Sequence, residues 1–468
     1  MSDGATCPVT PKDYRYLIFP IITMKISQQA ELSIRDGEIS TKSLIYLTFP
    51  AALSAMLNNA YRVIDQYAVQ WLGVDAQAAI ASCTFVLIGF FAFYSIFSAG
   101  AIALVSRAVG SENVPEQKRL IGSALTASLV AGIIILTASG ALAPWTVKSL
   151  GLQGNLADQA ETYLRWHALY CLPQAVMPTL DAIFIAYGRT KTVLLLQIIA
   201  SVLNLLLNPV CIYALDLGIG GSAMATGISE AIAVIIGLVL LSRTKGFDSR
   251  SFRLNKHTLR IITVGLPMCW GTLIYASVYW ALIRWVISPL GSAVNAALGI
   301  GFSVLEGFTW PVFWGFSMGI ASIVGRCLGA GELGKAKQAI QIAFRLLTLF
   351  GLLASAVFWW GGEILSSVFT NDADVLQQAV LYAQVLAFSQ LFVAYEALAE
   401  GILSGAGKTK AIFYWSAPLN IVRIPCCWLF AIHYGYGAAA VWWVINVSTI
   451  LKALGKWSTV ISGRWQTY

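Results

Sequence analysis

The chain has 468 residues, of which 58% are apolar and only 11% charged, with a mean hydropathy of +0.73 and a formal net charge of +8. Soluble domains carry about 25% charged residues, so the composition excludes a water-facing globular protein and points to one large all-α polytopic membrane bundle. The basic residues sit in short loops between apolar segments, which does not provide the contiguous basic face that nucleic-acid binding needs.

Residues 1–40 are mixed in character. Their one apolar run, YLIFPIIT, is too short to span a bilayer, and no cleavable leader stands out. Met24 offers a second possible start, and the stretch reads as a cytoplasmic tail. A crossing helix needs about 20 apolar residues, and about twelve segments meet that length: 43–69, 77–108, 117–142, 158–187, 191–215, 221–243, 257–288, 294–326, 335–361, 373–405, 409–433 and 437–461. Eight prolines fall inside them. Pro50 and Pro267 occupy matching places in the first and seventh, where proline frees a carbonyl and permits a kink.

Loop charge orients the bundle. One set of turns carries Lys118, Arg119, Arg189, Lys191, Arg243, Lys245, Arg250, Arg253, Lys256, Arg260, Lys335, Lys337, Lys408 and Lys410. The alternate set carries Asp75, Asp158, Glu161, Asp216, Glu363, Asp372 and Asp374, with Lys148 as its main exception. The positive-inside rule then places both termini in the cytoplasm, with the bundle in the plasma (bacterial inner) membrane.

The chain also repeats itself. SAGAIALVSRAVGSENVPEQKR (98–119) aligns with SMGIASIVGRCLGAGELGKAKQ (317–338), and AYGRTK (186–191) with GAGKTK (405–410), both at an offset of 219. Pro50 pairs with Pro267, Asn204 with Asn420 and Pro209 with Pro425 after small gaps. Such a period is too long for a solenoid. It predicts an N-terminal lobe over 41–243, a basic linker over 244–256 and a C-terminal lobe over 257–468. Six spans per lobe make the repeats parallel, facing each other across a central cleft suited to rocking alternating access.

Eight cysteines, mostly inside apolar segments, lack metal-site spacing and read as small core residues. Ionisable groups inside the spans are the first functional candidates, because charge in a membrane helix is expensive. Asp65 stands three residues after Arg62, so either a coupling carboxylate or a structural Arg62–Asp65 pair fits. Asn204 and Asn208 share a helical face and can hold a cation, bond to Asp65 or tie helices together. Glu306 lies among aromatics that include Trp310 and Trp314, a setting for a lipophilic cation. Arg284 and Arg423 offer Glu306 a structural partner, or an anionic substrate a binding group. Asp181 and Glu400 match at the repeat offset and precede basic turns, which favours ion pairs there.

Two six-helix lobes, Pro50 fifteen residues before Asp65, the turn around Arg107 and Gly110, and the G(R/K)TK runs after the fourth and tenth spans together resemble the multidrug and toxic compound extrusion (MATE) family over residues 43–460. The seventh span, GLPMCWGTLIYASVYWALIRWV, lacks a glutamate, which resembles the DinF-like branch. The resemblance implies a monomeric antiporter that exports small amphipathic organic cations, driven by protons or sodium and requiring no cofactor. It also implies an ion site of Asp65, Asn204, Asn208 and Thr226, with Asp65 as the possible sodium ligand. The branch has an aspartate where this chain has Asn208, so the two-carboxylate proton sharing expected of it is missing.

Other classes fit less well. A membrane-embedded enzyme needs a catalytic cluster, and His167, His257 and His433 lie in no such motif. A P-loop is absent. The loop after the second span, RAVGSENVPEQKR, lacks the dense basic run of major-facilitator transporters. A lipid-linked oligosaccharide or anionic-substrate flippase of the same superfamily is kept open by Arg62, Arg284 and Arg423.

Overall fold

The computed structural model describes residues 39–150 and 152–466, and every regular element among them is a helix. Twelve helical runs follow one another: α1 (Thr41–Ala68), α2 (Val74–Gly110), α3 (Val114–Ser149), α4 (Gly154–Leu169 and Cys171–Ala186), α5 (Thr190–Ala214), α6 (Gly218–Ser242), α7 (Lys256–Leu290), α8 (292–330), α9 (Leu333–Ser367), α10 (Ala373–Gly405), α11 (Thr409–His433) and α12 (Gly437–Ile461). Ten are long and apolar enough to cross a membrane, and α4 is an eleventh, bent by 56° at Tyr170. Helix α1 is long enough but less apolar, because Asn58, Asn59, Arg62, Asp65 and Gln66 crowd its second half. The expected tail lies outside the described residues up to Leu32 and beyond to position 38, as does Cys7; the seven described cysteines are free.

Polar residues at the chain reversals set the helix starts. Ser40 Oγ accepts from Ser43 N at 3.1 Å, and Asn113 Oδ1 from Glu116 N at 3.1 Å. At α7, Asn255 Oδ1 accepts from His257 N while Thr258 Oγ1 accepts from Asn255 N, a reciprocal cap. Asp372 caps α10 through Asp374 N and Val375 N. Several helices outrun their apolar segments. Helix α3 continues seven residues past the expected end at 142, through Pro144, and α9 six past 361. Intrahelical bonding carries on into the interface region, where the apolar pattern has already ended. Pro50 and Pro267 sit inside uninterrupted helical runs.

The second half copies the packing of the first. Helix α1 packs on α5, α5 on α6, and α2 and α3 on α4; α7 packs on α11, α11 on α12, and α8 and α9 on α10 in the same way. Left-handed backbone recurs at the repeat offset: Gly188 with Gly407 (φ 75° and 71°), Glu112 with Gly331 (56° and 76°) and Asp216 with Gly435 (53° and 74°). Both α5 and α11 finish in a π-helical turn, Val210–Ala214 and Trp428–His433.

Helices α1 and α7 cross between the halves. Leu44, Leu47 and Ala52 near the start of α1 join the core built by α8, α9 and α10. Ile261 and Cys269 near the start of α7 join the core built by α2, α3 and α4. Their far ends return to their own halves, Val69 beside α2 and α6, and Val278, Leu282 and Val286 beside α10 and α12. The halves are therefore locked at the end that carries the basic turns. Ser322 Oγ donates to the Ile185 carbonyl at 2.5 Å, Thr409 Oγ1 to the Val264 carbonyl, and Lys191 lies over the Tyr46 ring at 3.9 Å.

Candidate functional site

Asp65 lies three residues before the end of α1 and is 8% exposed. The end of α5 fixes α1 beside it, because the Tyr213 hydroxyl, in the π-helical turn, donates to the Ala68 carbonyl. That contact brings the buried face of α5 under Asp65. Asn208 Nδ2 donates to Asp65 Oδ1 at 2.9 Å and Asn204 Nδ2 to the same oxygen at 3.2 Å. From α6, Thr226 Oγ1 donates to Asp65 Oδ2 at 2.9 Å. Cross-links close the cluster: Asn204 Nδ2 to Thr226 Oγ1 at 2.9 Å, and Asn208 Nδ2 to Asn204 Oδ1 at 3.2 Å.

All four expected ion-site residues thus meet at one carboxylate. The i, i+4 spacing puts both amides on one face, and α6 supplies the hydroxyl. Asn208 Oδ1 is buried with no partner. The arrangement is a carboxylate held by three donors, and it can take up a proton or a cation by rearranging those donors. Among the described side chains no cation lies within 4 Å of Asp65; the Arg62 side chain is outside them, so the expected Arg62–Asp65 pair is too.

The second half builds a different polar interior. Arg423, on α11, is 2% exposed. Its Nε donates to Ser448 Oγ at 2.7 Å and its Nη2 to Thr449 Oγ1 at 3.0 Å, both on α12. No carboxylate reaches it within 4 Å among the described residues. Further along α12, Lys452 Nζ lies 3.1 Å from Glu396 Oε1, and Lys456 Nζ lies 2.6 Å from Glu396 and 2.5 Å from Glu400. Sequence reading expected an ion pair at Glu400 but missed the lysines. The signal was present: Glu396 and Glu400 are spaced i, i+4 on α10, as Lys452 and Lys456 are on α12.

Glu306 begins the α-helical part of α8 after the π-helical turn Gly301–Leu305. It faces Tyr382, Arg423 and Lys452, without an ion pair to either arginine expected as its partner. Trp310 and Trp314 stack at 5.3 Å, one turn and two turns on. Trp310 is 52% exposed and Trp314 half-buried, so this aromatic face is open. Arg284 lies apart: it is exposed in the π-helical turn of α7, beside the exposed Trp285.

Comparison with known proteins agrees with this architecture. The MatE family model matches the chain twice, over residues 50–210 and 267–429. The chain is 25% identical over 451 residues to the probable multidrug resistance protein YoeA of Bacillus subtilis, covering 93% of each chain. It is 23% identical over 386 residues to the probable multidrug resistance protein NorM of Thermotoga maritima, covering 79% of this chain and 81% of that one. A crystal structure of a MATE protein in complex with MaD3S superposes with a TM-score of 0.85 at 19% identity, covering 95% and 99% of the two chains. With its sequence matched twice by one family model and its helices superposing on that fold, the chain belongs to the MatE family of membrane transporters, and is not an enzyme.

Proposed function

We propose that this chain is a secondary antiporter of the plasma (bacterial inner) membrane that exports amphipathic organic cations in exchange for a cation bound at Asp65. The observation that carries the reading is the buried Asp65 carboxylate, gripped by Asn204, Asn208 and Thr226 and facing no described cation. The relatives named for multidrug resistance support export of organic compounds. A proton fits better than sodium. Three donors already point at the carboxylate: a proton requires one of them to turn away, whereas a sodium ion needs a shell of acceptor oxygens in place of all three. The basic turns at one end favour the cytoplasm for that end and for both termini.

Transport would follow from the packing. The halves meet through α1, α2, α7 and α8 at the basic end, so breaking that contact and forming its counterpart at the far end would move access from one side to the other. Substrate would rest on the open aromatic face of Trp310 and Trp314, with Glu306 as its counter-charge.

The test is ethidium transport in proteoliposomes under an imposed proton gradient or an imposed sodium gradient, for wild type and Asp65→Asn. Transport driven by one gradient and lost in Asp65→Asn is the expected result. Transport that neither gradient drives, or that Asp65→Asn leaves intact, rejects the reading. Buried Arg423, without a carboxylate within 4 Å among the described residues, favours a second reading in which the substrate carries an anionic group. An organic anion run in the same assay decides between the two.

A further inference from the structure

Two carboxyl groups of the first half take no part in the Asp65 cluster. Glu230 is on α6, one turn beyond Thr226 toward the basic end, and faces both Asp65 and Asp181. Asp181 is on α4, five residues before that helix ends at the basic turn. Its Oδ2 accepts from Gln197 Nε2 of α5 at 2.9 Å. One oxygen of each acid, Glu230 Oε2 and Asp181 Oδ1, is buried with no partner. Among the described residues, the charged or titratable groups near enough for their fields to act with Glu230 are Asp65 from α1, Tyr94 from α2 and Asp181 from α4, with Cys171 beside Tyr94. None is a cation.

We propose that Glu230 and Asp181 form a second, inner proton-binding site, joined to Asp65 by a hydrated polar column through the first half of the bundle. The inference rests on the proton-coupled reading above. Its independent support is a set of buried polar atoms that acids alone would not explain. Ser201 Oγ, Thr179 Oγ1 and Asn208 Oδ1 are all buried and all without a partner, and each of these residues is 8% exposed or less. Hydrogen-bond glue between helices would pair such atoms. Buried polar atoms that no protein group pairs are what internal water pairs with.

The spacing suits a relay. On α5, Gln197, Ser201, Asn204 and Asn208 recur every three or four residues, so one face is polar from the Asp65 cluster to the partner of Asp181. At 1.5 Å rise per residue, Glu230 lies about 6 Å along the axis from Thr226, a distance one water bridges. Asp181 lies about 10 Å further toward the basic end, with Ser201 and Thr179 at intermediate heights.

The step conserves charge and atoms. A proton leaves the Asp65 carboxyl for a bridging water, that water gives a proton to the Glu230 carboxylate, and Asp65 is left ionised. From Glu230 to Asp181, about 10 Å along the axis, the proton passes by successive exchanges of the same kind through a chain of several waters, leaving Glu230 ionised and Asp181 protonated. The route lies within one half, so it stays available while the two halves are locked together at the basic end. Asp65 can then discharge toward that end without the halves first parting.

Wild type, Glu230→Gln, Glu230→Asp and Asp181→Asn are reconstituted with a trapped pH dye, and proton flux is followed during ethidium transport from pH 5.5 to pH 8.5. Glu230→Gln and Asp181→Asn are expected to slow proton flux about tenfold or more and to flatten its pH profile. Glu230→Asp is expected to recover most of the rate. Wild-type flux in both neutral variants overturns the inner site and leaves the Asp65 reading standing. Equal loss in Glu230→Gln and Glu230→Asp with the wild-type pH profile overturns it in favour of a packing role. Absence of proton-driven transport in wild type itself removes the coupling reading, and this inference with it.

Discussion

Gly110 lies against the carbonyl oxygen of Arg326, and a Cβ there would sit 2.0 Å from it. The repeat makes the same contact in reverse, since a Cβ on Gly329 would sit 2.1 Å from the Arg107 carbonyl oxygen. The two sequence runs that first disclosed the repeat are therefore the two helices that seal the halves together. Their glycines let α2 and α8 approach backbone to backbone.

Gly110→Ala and Gly329→Ala should each force that seal apart. Overpacking of this kind costs about 1–3 kcal/mol, and either variant is expected to melt at lower temperature in detergent. Cys327, 1% exposed and two residues before Gly329, should react faster with a maleimide. If both the melting temperature and the labelling rate stay at wild-type values, the helices slide to absorb the methyl group and the seal does not depend on the glycines.

Asp65→Asn keeps the shape of the side chain and should leave the melting temperature within a few degrees of wild type while abolishing gradient-driven transport. Asn208→Leu removes the 2.9 Å donor to Asp65 and should slow transport about tenfold, since hydrogen bonds to a charged group contribute about 1.5–3 kcal/mol. Normal transport in Asn208→Leu would mean that Asn204 and Thr226 suffice to hold the carboxylate.

Lys456 is fully buried between Glu396 and Glu400. Lys456→Met strands both carboxylates and is expected to destabilise the protein by about 3–5 kcal/mol, read as a fall in folded yield and melting temperature. The exposed Glu116–Arg260 pair, 3.0 Å apart outside the core, is the control. Arg260→Gln should cost about 1 kcal/mol or less, with most of that screened by salt. Equal effects from the two variants would contradict a load carried by the buried network.

Arg423→Met tests the charge of the substrate. Removing a buried guanidinium hydrogen-bonded to Ser448 and Thr449 should leave ethidium transport equal or faster, because a repelling charge is gone. Transport of an organic anion, where the wild type shows any, should fall to background. A strong loss of ethidium transport with an unchanged melting temperature would place Arg423 in the cation pathway itself.

Periodicity and repeats made the architecture legible. The twelve expected segments correspond to α1–α12, because a membrane demands a nearly unbroken apolar run wherever a helix crosses. The ends were less legible: α3 and α9 continue past their apolar runs, since hydrogen bonding ends a helix and hydropathy does not. The bend at Tyr170 was not foreseen, and the prolines at Pro50 and Pro267 do not interrupt their helices.

Side-chain partnerships were legible only where both members lay on one helix or matched a family pattern. Asn204 and Asn208 share a face by spacing alone, Asp65 stood out as a charge inside a span, and the family resemblance supplied Thr226. Lys452 and Lys456 went unread, because their partners Glu396 and Glu400 are more than fifty residues away and nothing local ties the pairs together. Arg284 and Arg423 look alike as arginines in apolar segments, yet one is exposed and the other buried.

The sequence by itself determined a helical membrane bundle built from a duplicated six-helix unit, because apolar length and a constant offset are properties of the chain alone. Only the tertiary structure decided that α1 and α7 begin in the opposite half's core and end in their own. It alone also decided that polar groups from α5 and α6 close on Asp65 in the first half while an ion-pair ladder ties α10 to α12 in the second. Those outcomes depend on which faces of distant helices meet, and in a low-dielectric interior the meeting of faces decides whether a polar group is paired, hydrated or left for a ligand.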